Sequence, residues 1–245
     1  MTRTPFEALV EEYDAARPSY PDALYDALAG YAGGLAGALV VECGAGTGLA
    51  TRALRGRGAT VLATDLGEAM LRRNAARTPG LPAAVADGHA LPVRDGTADL
   101  VCYAQAWHWM RLPDAVAEAV RVLRPGGSLA VWWNDAAADG QPWYDRQQDR
   151  LEALSPGYTR DYRKRDYGAE LSALGLFGAV RHAAVDWVRP LSIEEYLVYQ
   201  RSKSYVAAIP DLAGYLREEE AELRAAFPDG TVAEPLRTRL WVATR

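Results

Sequence analysis

Three acids close apolar runs in the first part of the chain: Glu42 in VVECGAGTGLAT, Asp65 in TVLATDLG and Asp87 in AAVADGH. Carboxylates accept hydrogen bonds from hydroxyl and amino groups and repel phosphate. Glycines 44, 46 and 48 follow the first acid. Without a Cβ they allow tight turns and close approach of a ligand. A helix opens there, and its free N–H groups favour negative charge. A tight strand-to-helix turn alone would explain the glycines, but the companion acids add to it. Asp65 stands about twenty residues beyond the loop, where an acid can reach both ribose hydroxyls. Three acids in succession suit a ligand with amino and hydroxyl donors and little negative charge. A dinucleotide prefers Gly-x-Gly-x-x-Gly, whereas the spacing here is Gly-x-Gly-x-Gly. An acid just before the loop would repel a pyrophosphate and attract an ammonium group. S-adenosylmethionine, which joins adenosine, a sulfonium and an amino acid, meets these needs, and an NAD-dependent oxidoreductase is disfavoured.

A second group of residues lies in QAWHWM. His108, between Trp107 and Trp109, is the candidate general base for an acceptor that keeps its proton at working pH. Its other roles would be lining an acceptor pocket or simply packing beneath it. His89 reads as a loop residue and His182 as an exposed strand residue. No pair of His, Asp or Glu shows convincing metal-ligand spacing, so no metal is expected. Tyr196 and Tyr199 are candidate substrate contacts. Arg163, Arg201 and Lys203 would attract a carboxylate or serve as solvated surface charges.

These residues must be positioned by the elements around them. ALVVE (38–42), TVLATD (60–65), AAVAD (83–87), ADLVCYA (98–104) and SLAVWW (128–133) read as strands. They alternate with helical stretches at 22–33, 49–58, 67–78 and 114–124, the last closed by Pro125-Gly126-Gly127. Such alternation predicts right-handed crossovers and a doubly wound, mostly parallel sheet, with ligands at the carboxyl ends of the strands. Glu42, Asp65 and Asp87 then share one rim. After residue 134 the pattern loosens into helices at 141–154, 166–175, 192–208 and 210–227 and two more strands, AVRHAAVDWV and RTRLWVAT. Ser192 and Glu195 form a capping box. The expectation is a single α/β domain over 1–245 with seven strands. Residues 35–134 form its cofactor-binding core, and the last two strands plus a C-terminal helical lid follow, although plain packing would equally explain those helices.

The 245 residues carry a formal net charge of −5, with 49% hydrophobic and 24% charged side chains. That is ordinary globular composition and argues against a dedicated nucleic-acid surface. No window approaches a membrane span, and the first twenty residues lack a signal-peptide core. The two cysteines, Cys43 and Cys102, sit in apolar segments on strands expected to be neighbours, as buried thiols suited to a reducing cytoplasm.

VVECGAGTG, ATDLGEAML, ADGHALPVRDGTADLVCYAQAWHWM and VRVLRPGGSLAV, in that order, resemble the motifs of class I S-adenosylmethionine-dependent methyltransferases. The likeness covers about residues 38–134. YDAARPSYP, QAWHWM and YLVYQRSKSYVAA are similar to a bacterial small-molecule branch related to the trans-aconitate methyltransferases. The resemblance implies that Glu42, Cys43, Gly44, Ala45, Gly46 and Gly48 border the methionyl part and that Asp65 binds ribose. It places Leu66 and Met70 on either side of the adenine, Asp87 and Gly88 at its amino group, and Gln105 near the methionyl portion. It also folds Tyr13, Arg17 and Tyr20 over the cofactor, with Arg17 meeting its carboxylate; a surface salt bridge is the other reading of Arg17. Trp107, His108 and Trp109 would meet a small-molecule acceptor. QAWH is not the Asn- or Asp-Pro-Pro-aromatic run of enzymes that methylate DNA amino groups. Cofactor motifs alone do not report transfer, so a non-methylating reaction such as cyclisation is the alternative.

Overall fold

The computed structural model describes residues 17–160 and 166–245. Along the chain run α1 (Asp22–Ala32), β1 (Leu39–Cys43), α2 (Leu49–Gly56), β2 (Thr60–Asp65), α3 (Glu68–Arg77), β3 (Ala83–Val85) and β4 (Ala98–Ala104). After a 3₁₀ turn at Trp107–Trp109 come α4 (Leu112–Val122), β5 (Leu123–Ala136), α5 (Pro142–Leu154), α6 (Tyr167–Ala173) and β6 (Val180–Ser192). α7 (Ile193–Arg201), α8 (Ser204–Ala207), α9 (Leu212–Ala226) and β7 (Thr231–Thr244) complete it. The seven strands form one sheet in the order β3-β2-β1-β4-β5-β7-β6. The pairs β1–β2, β1–β4, β2–β3 and β4–β5 are parallel. The order reverses between β1 and β4, where an open sheet of this kind leaves room for a ligand beyond the strand ends.

The period-2 alternation of strand side chains explains the two cores. Val41, Cys43, Val101, Tyr103 and Val131 pack with Ala115, Val116 and Ala119 of α4. Val40, Leu100, Cys102 and Trp132 pack with Leu24 and Leu28 of α1 and Leu54 of α2. Cys43 and Cys102 therefore lie on neighbouring strands, with Glu42 opposite Cys102, but belong to opposite cores. Both are buried free thiols. Burial pushes the Cys43 thiol up to about 12 and raises Cys102 as well.

The chain divides into two compact units. One comprises Ser19–Asn134, Asp166–Val185 and Thr238–Arg245, and the other takes in the described residues of 135–160 and 186–237 with Arg17 and Pro18. In the latter, Ile193, Tyr196 and Leu223 share a core with Trp143. There Glu219 of α9 is buried and accepts from Arg150 at 2.6 Å and Gln147 at 2.5 Å, both on α5. Among the described residues no helix is long and apolar enough to cross a membrane.

Three local expectations need correction. Strand β3 stops at Val85, so Asp87 lies two residues past its end and sits in a turn closed by Ala90 N–H to Asp87 C=O at 2.9 Å. The Pro125-Gly126-Gly127 stretch does not separate helix from strand. Leu123 already pairs with Ala98, and Leu100 next pairs with Ser128, so Arg124–Gly127 bulges out of β5. Finally, the expected helix over 192–208 breaks into α7 and α8. Ser202 Oγ donates to the Tyr199 carbonyl at 2.7 Å, and Lys203 is extended. The Ser192–Glu195 capping box that opens α7 is present.

Candidate functional site

The glycine loop between β1 and α2 is fixed from both sides. Gly44, Gly46 and Gly48 all have left-handed backbone, with φ of 68°, 52° and 88°. A Cβ on Gly44 would fall 2.5 Å from the Ala106 methyl, and one on Gly48 would fall 2.0 Å from Asn74 Oδ1. On Gly46 it would meet nothing within 4 Å. An added side chain would thus collide with protein at the two outer glycines but not at the middle one; Gly44 is itself exposed and Gly46 half-buried, so the loop has room beside it for a ligand. Asp65 braces this loop: one carboxylate oxygen accepts from Gly46 N–H at 2.8 Å and the other from Gly67 N–H at 2.7 Å. Beside it Leu66 is 70% exposed, an uncovered apolar side chain of the kind that packs on a planar base. Met70 is half-buried, and Gly67 packs between it and Asp65.

Beneath the loop lies a polar chain not anticipated from sequence. Glu42, only 1% exposed, accepts from Thr51 Oγ1 at 2.5 Å. Asn74 Nδ2 donates to the same hydroxyl at 2.8 Å, and Thr78 Oγ1 donates to Asn74 Oδ1 at 3.2 Å. Burial raises the Glu42 carboxyl to about 7, against the lowering effects of Thr51 and Arg52. The available signal was Asn74 itself, an amide on the core-facing side of α3 one turn beyond buried Leu71.

Asp87 is exposed and accepts the backbone N–H of His89 at 3.0 Å and that residue's ring Nδ1 on the same oxygen. The backbone donor, then the ring, holds the Asp87 carboxyl below its ordinary range. His89 is thus more than a loop residue. Its Nε2 accepts the Arg111 N–H at 2.9 Å. Gly88 is buried against Met110.

Gln105, just past β4, has φ 55°, the one positive value at a non-glycine among the described residues. Its N–H is held by the Trp132 carbonyl at 2.9 Å. Strain of this kind collects at functional sites because surrounding structure must enforce it. Trp107 is fully buried against Tyr103, ring centroids 4.7 Å apart, so it supports the turn from within. His108 and Trp109 are exposed, the latter at 72%, and their rings are 4.5 Å apart. His108 is also 5.6 Å from Trp133, which stacks on Tyr167 at 4.5 Å. The Trp133–Tyr167 pair was not anticipated; the sequence distance between the two rings hides it.

The remaining expected residues are placed as follows. Tyr20 meets Tyr25 and Trp132 edge-on, at 6.4 and 5.9 Å. Arg17 donates to the Ser202 carbonyl at 3.4 Å. Tyr196 is buried, its hydroxyl donating to Gln147 Oε1 at 3.1 Å. The Tyr199 ring carries Arg189 at 4.5 Å and Lys203 at 4.2 Å. Arg201 is exposed. His182 is exposed on β6, as expected, with its ring 5.0 Å from Trp241. Tyr13 and Arg163 lie outside the described residues.

The residues present fit a zwitterionic nucleoside: a glycine loop with room beside Gly46, acceptor carboxylates at Asp65 and Asp87, and the uncovered apolar side chain of Leu66. Comparison with known proteins bears on the same chemistry. Residues 41–131 match the family described as methyltransferase domain. The chain is 30% identical over 209 residues to an uncharacterized methyltransferase-like protein of Schizosaccharomyces pombe, covering 84% of this chain and 80% of that one. It is 47% identical over 96 residues to the malonyl-[acyl-carrier protein] O-methyltransferase of Halorhodospira halophila, covering 37% of this chain and 32% of that one. Among solved structures, a protein assigned as a type II methyltransferase from Anaeromyxobacter dehalogenans aligns with TM-score 0.69 at 28% identity, over 94% of this chain and 96% of that one.

Proposed function

The chain belongs to the class I S-adenosylmethionine-dependent methyltransferases, and from that premise we propose that its acceptor is a small molecule bound against the aromatic turn beyond β4. S-adenosylmethionine is the cofactor; when bound it supplies a methyl carbon activated by a positively charged sulfur. In this reading the loop Glu42–Gly48 borders the methionyl part, Asp65 takes the ribose hydroxyls, Leu66 and Met70 flank the adenine, and Asp87 with Gly88 takes its amino group. Gln105 borders the methionyl side, and Tyr20 is assigned to the cofactor as well.

What supports the acceptor assignment is one arrangement: strained Gln105 and exposed His108 and Trp109 stand within five residues at the end of a central strand. Displacement at a methyl carbon requires alignment above all. The turn supplies it in this reading, with His108 accepting the acceptor's proton where one must leave and Trp107 stiffening the turn from below. The narrower likeness to the trans-aconitate branch rests on YDAARPSYP, QAWHWM and YLVYQRSKSYVAA, and the two reduced thiols fit work in the cytoplasm.

The test is to incubate the protein with S-adenosylmethionine and a panel of free metabolites, following S-adenosylhomocysteine by mass spectrometry. Turnover of a free metabolite, lowered at least tenfold in His108→Ala, is the expected result. Methylation confined to acyl groups on a carrier protein would overturn the small-molecule assignment. A changed metabolite without S-adenosylhomocysteine would reveal a non-methylating reaction. Full turnover in His108→Ala would remove that residue from the mechanism.

A further inference from the structure

His89 makes hydrogen bonds through both ring nitrogens, to two different segments. Asp87, past the end of its strand, is not held by the sheet. Instead a single carboxylate oxygen, Oδ1, receives the backbone N–H of His89 and its ring Nδ1. Neither bond uses Oδ2. On the opposite edge of the ring, Nε2 lies 2.9 Å from the Arg111 backbone nitrogen. That nitrogen is a donor, so Nε2 must be the bare, accepting nitrogen and the proton must sit on Nδ1, where it donates to Asp87. The two partners fix one tautomer of a neutral ring.

Other bonds run the same way. Gly88 packs so closely on Met110 that a Cβ would come 2.8 Å from its sulfur. Leu91 N–H donates to Glu118 of α4 at 2.6 Å, while Arg121 of α4 donates to the Leu91 carbonyl at 3.1 Å and the Val93 carbonyl at 2.8 Å. The Asp87 loop is thus bonded along α4, and His89 makes its hydrogen-bond link at Arg111, two residues past the Trp107–Trp109 turn.

We propose that His89 is a positioning residue: its neutral ring aims the Asp87 carboxylate at the cofactor's adenine amino group and ties that carboxylate to the Arg111 backbone below the acceptor turn. This rests on the assignment of Asp87 to the adenine amino group given above. The ring touches neither adenine nor acceptor and acts through its two partners.

The experiment uses two probes, S-adenosylhomocysteine and S-inosylhomocysteine, which carries a carbonyl where adenine has its amino group. Dissociation constants for both are measured by calorimetry with the parent protein, Asp87→Ala, His89→Asn and His89→Gln. Asparagine keeps a donor at the δ position, facing Asp87, and lacks the ε acceptor. Glutamine keeps a polar atom at the ε position and leaves the δ position without a donor. The parent is expected to prefer the adenosyl probe by about tenfold, the effect of about 1.4 kcal/mol. His89→Asn should keep most of that preference and His89→Gln should lose it, with thermal midpoints alike. A merely structural role would weaken both probes together and leave their ratio untouched. An unchanged ratio in His89→Gln, with Asp87→Ala abolishing it, would overturn the role of His89 and leave the Asp87 assignment standing. An unchanged ratio in Asp87→Ala would overturn both.

Discussion

Replacing Glu42 by glutamine should stabilise the protein above neutral pH while weakening its hold on cofactor. The carboxyl is completely enclosed, and burial raises it from an ordinary value of 4.5 to about 7. Between these values the folded chain holds a proton that the unfolded chain has released. Stability from this group is therefore complete below pH 4.5 and falls as pH rises, until it is lost through pH 7. A shift of 2.5 units at about 1.4 kcal/mol per unit makes the loss about 3 kcal/mol. Glu42→Gln cannot ionise and should escape it, while its amide oxygen can still accept from Thr51. Urea unfolding of both proteins, from pH 5 to pH 8.5, provides the assay. The variant's advantage should grow with pH by up to about 1.4 kcal/mol per unit and level off near pH 8. Taking the difference between the two proteins cancels titrations they share. Cofactor affinity should move the other way, because glutamine lacks the charge that attracts an ammonium group. A stability difference flat across this range would refute the claim that an enclosed, proton-holding carboxyl lies under the loop.

Other perturbations test neighbouring contacts. Gly48→Ala places a methyl against Asn74 on left-handed backbone. It should cost about 2–4 kcal/mol by chemical denaturation, with Asn74→Ala restoring part of the loss in the double variant. Asp65→Ala leaves the Gly46 and Gly67 N–H groups without their carboxylate. Calorimetry should show cofactor binding weakened by more than tenfold, with circular dichroism unchanged; unaltered affinity would remove Asp65 from the ribose site. Gln105→Gly relieves the left-handed strain. It should raise stability by about 1 kcal/mol while turnover falls, and a fall in both would mean that the strain serves the fold alone.

Much of this protein is legible from local sequence. Apolar runs place β1, β2 and β4 within a residue of their observed bounds, because central parallel strands are buried on both faces and leave their mark residue by residue. The loop is equally legible: the left-handed backbone at 44, 46 and 48 favours glycine. Asp87 and the bulge at Arg124–Gly127 were misplaced, since where a strand stops depends on the neighbour it pairs with, and β3 has only three residues of partner. Ser202 breaks a helix that periodicity would carry through.

What the tertiary structure alone decided is which polar groups meet. Glu42, Thr51, Asn74 and Thr78 come from three elements, and nothing in any one of them announces a shared chain of hydrogen bonds. His89 looks like a loop residue until Asp87 and the Arg111 backbone are found on its two ring edges. Side-chain patterns record the face each residue turns, so the chain by itself determined the sheet, the glycine loop and its acids. Hydrogen bonds between distant segments depend on angstrom-level placement that periodicity does not encode, so the proton on His89 and the raised carboxyl of Glu42 had to await the folded chain.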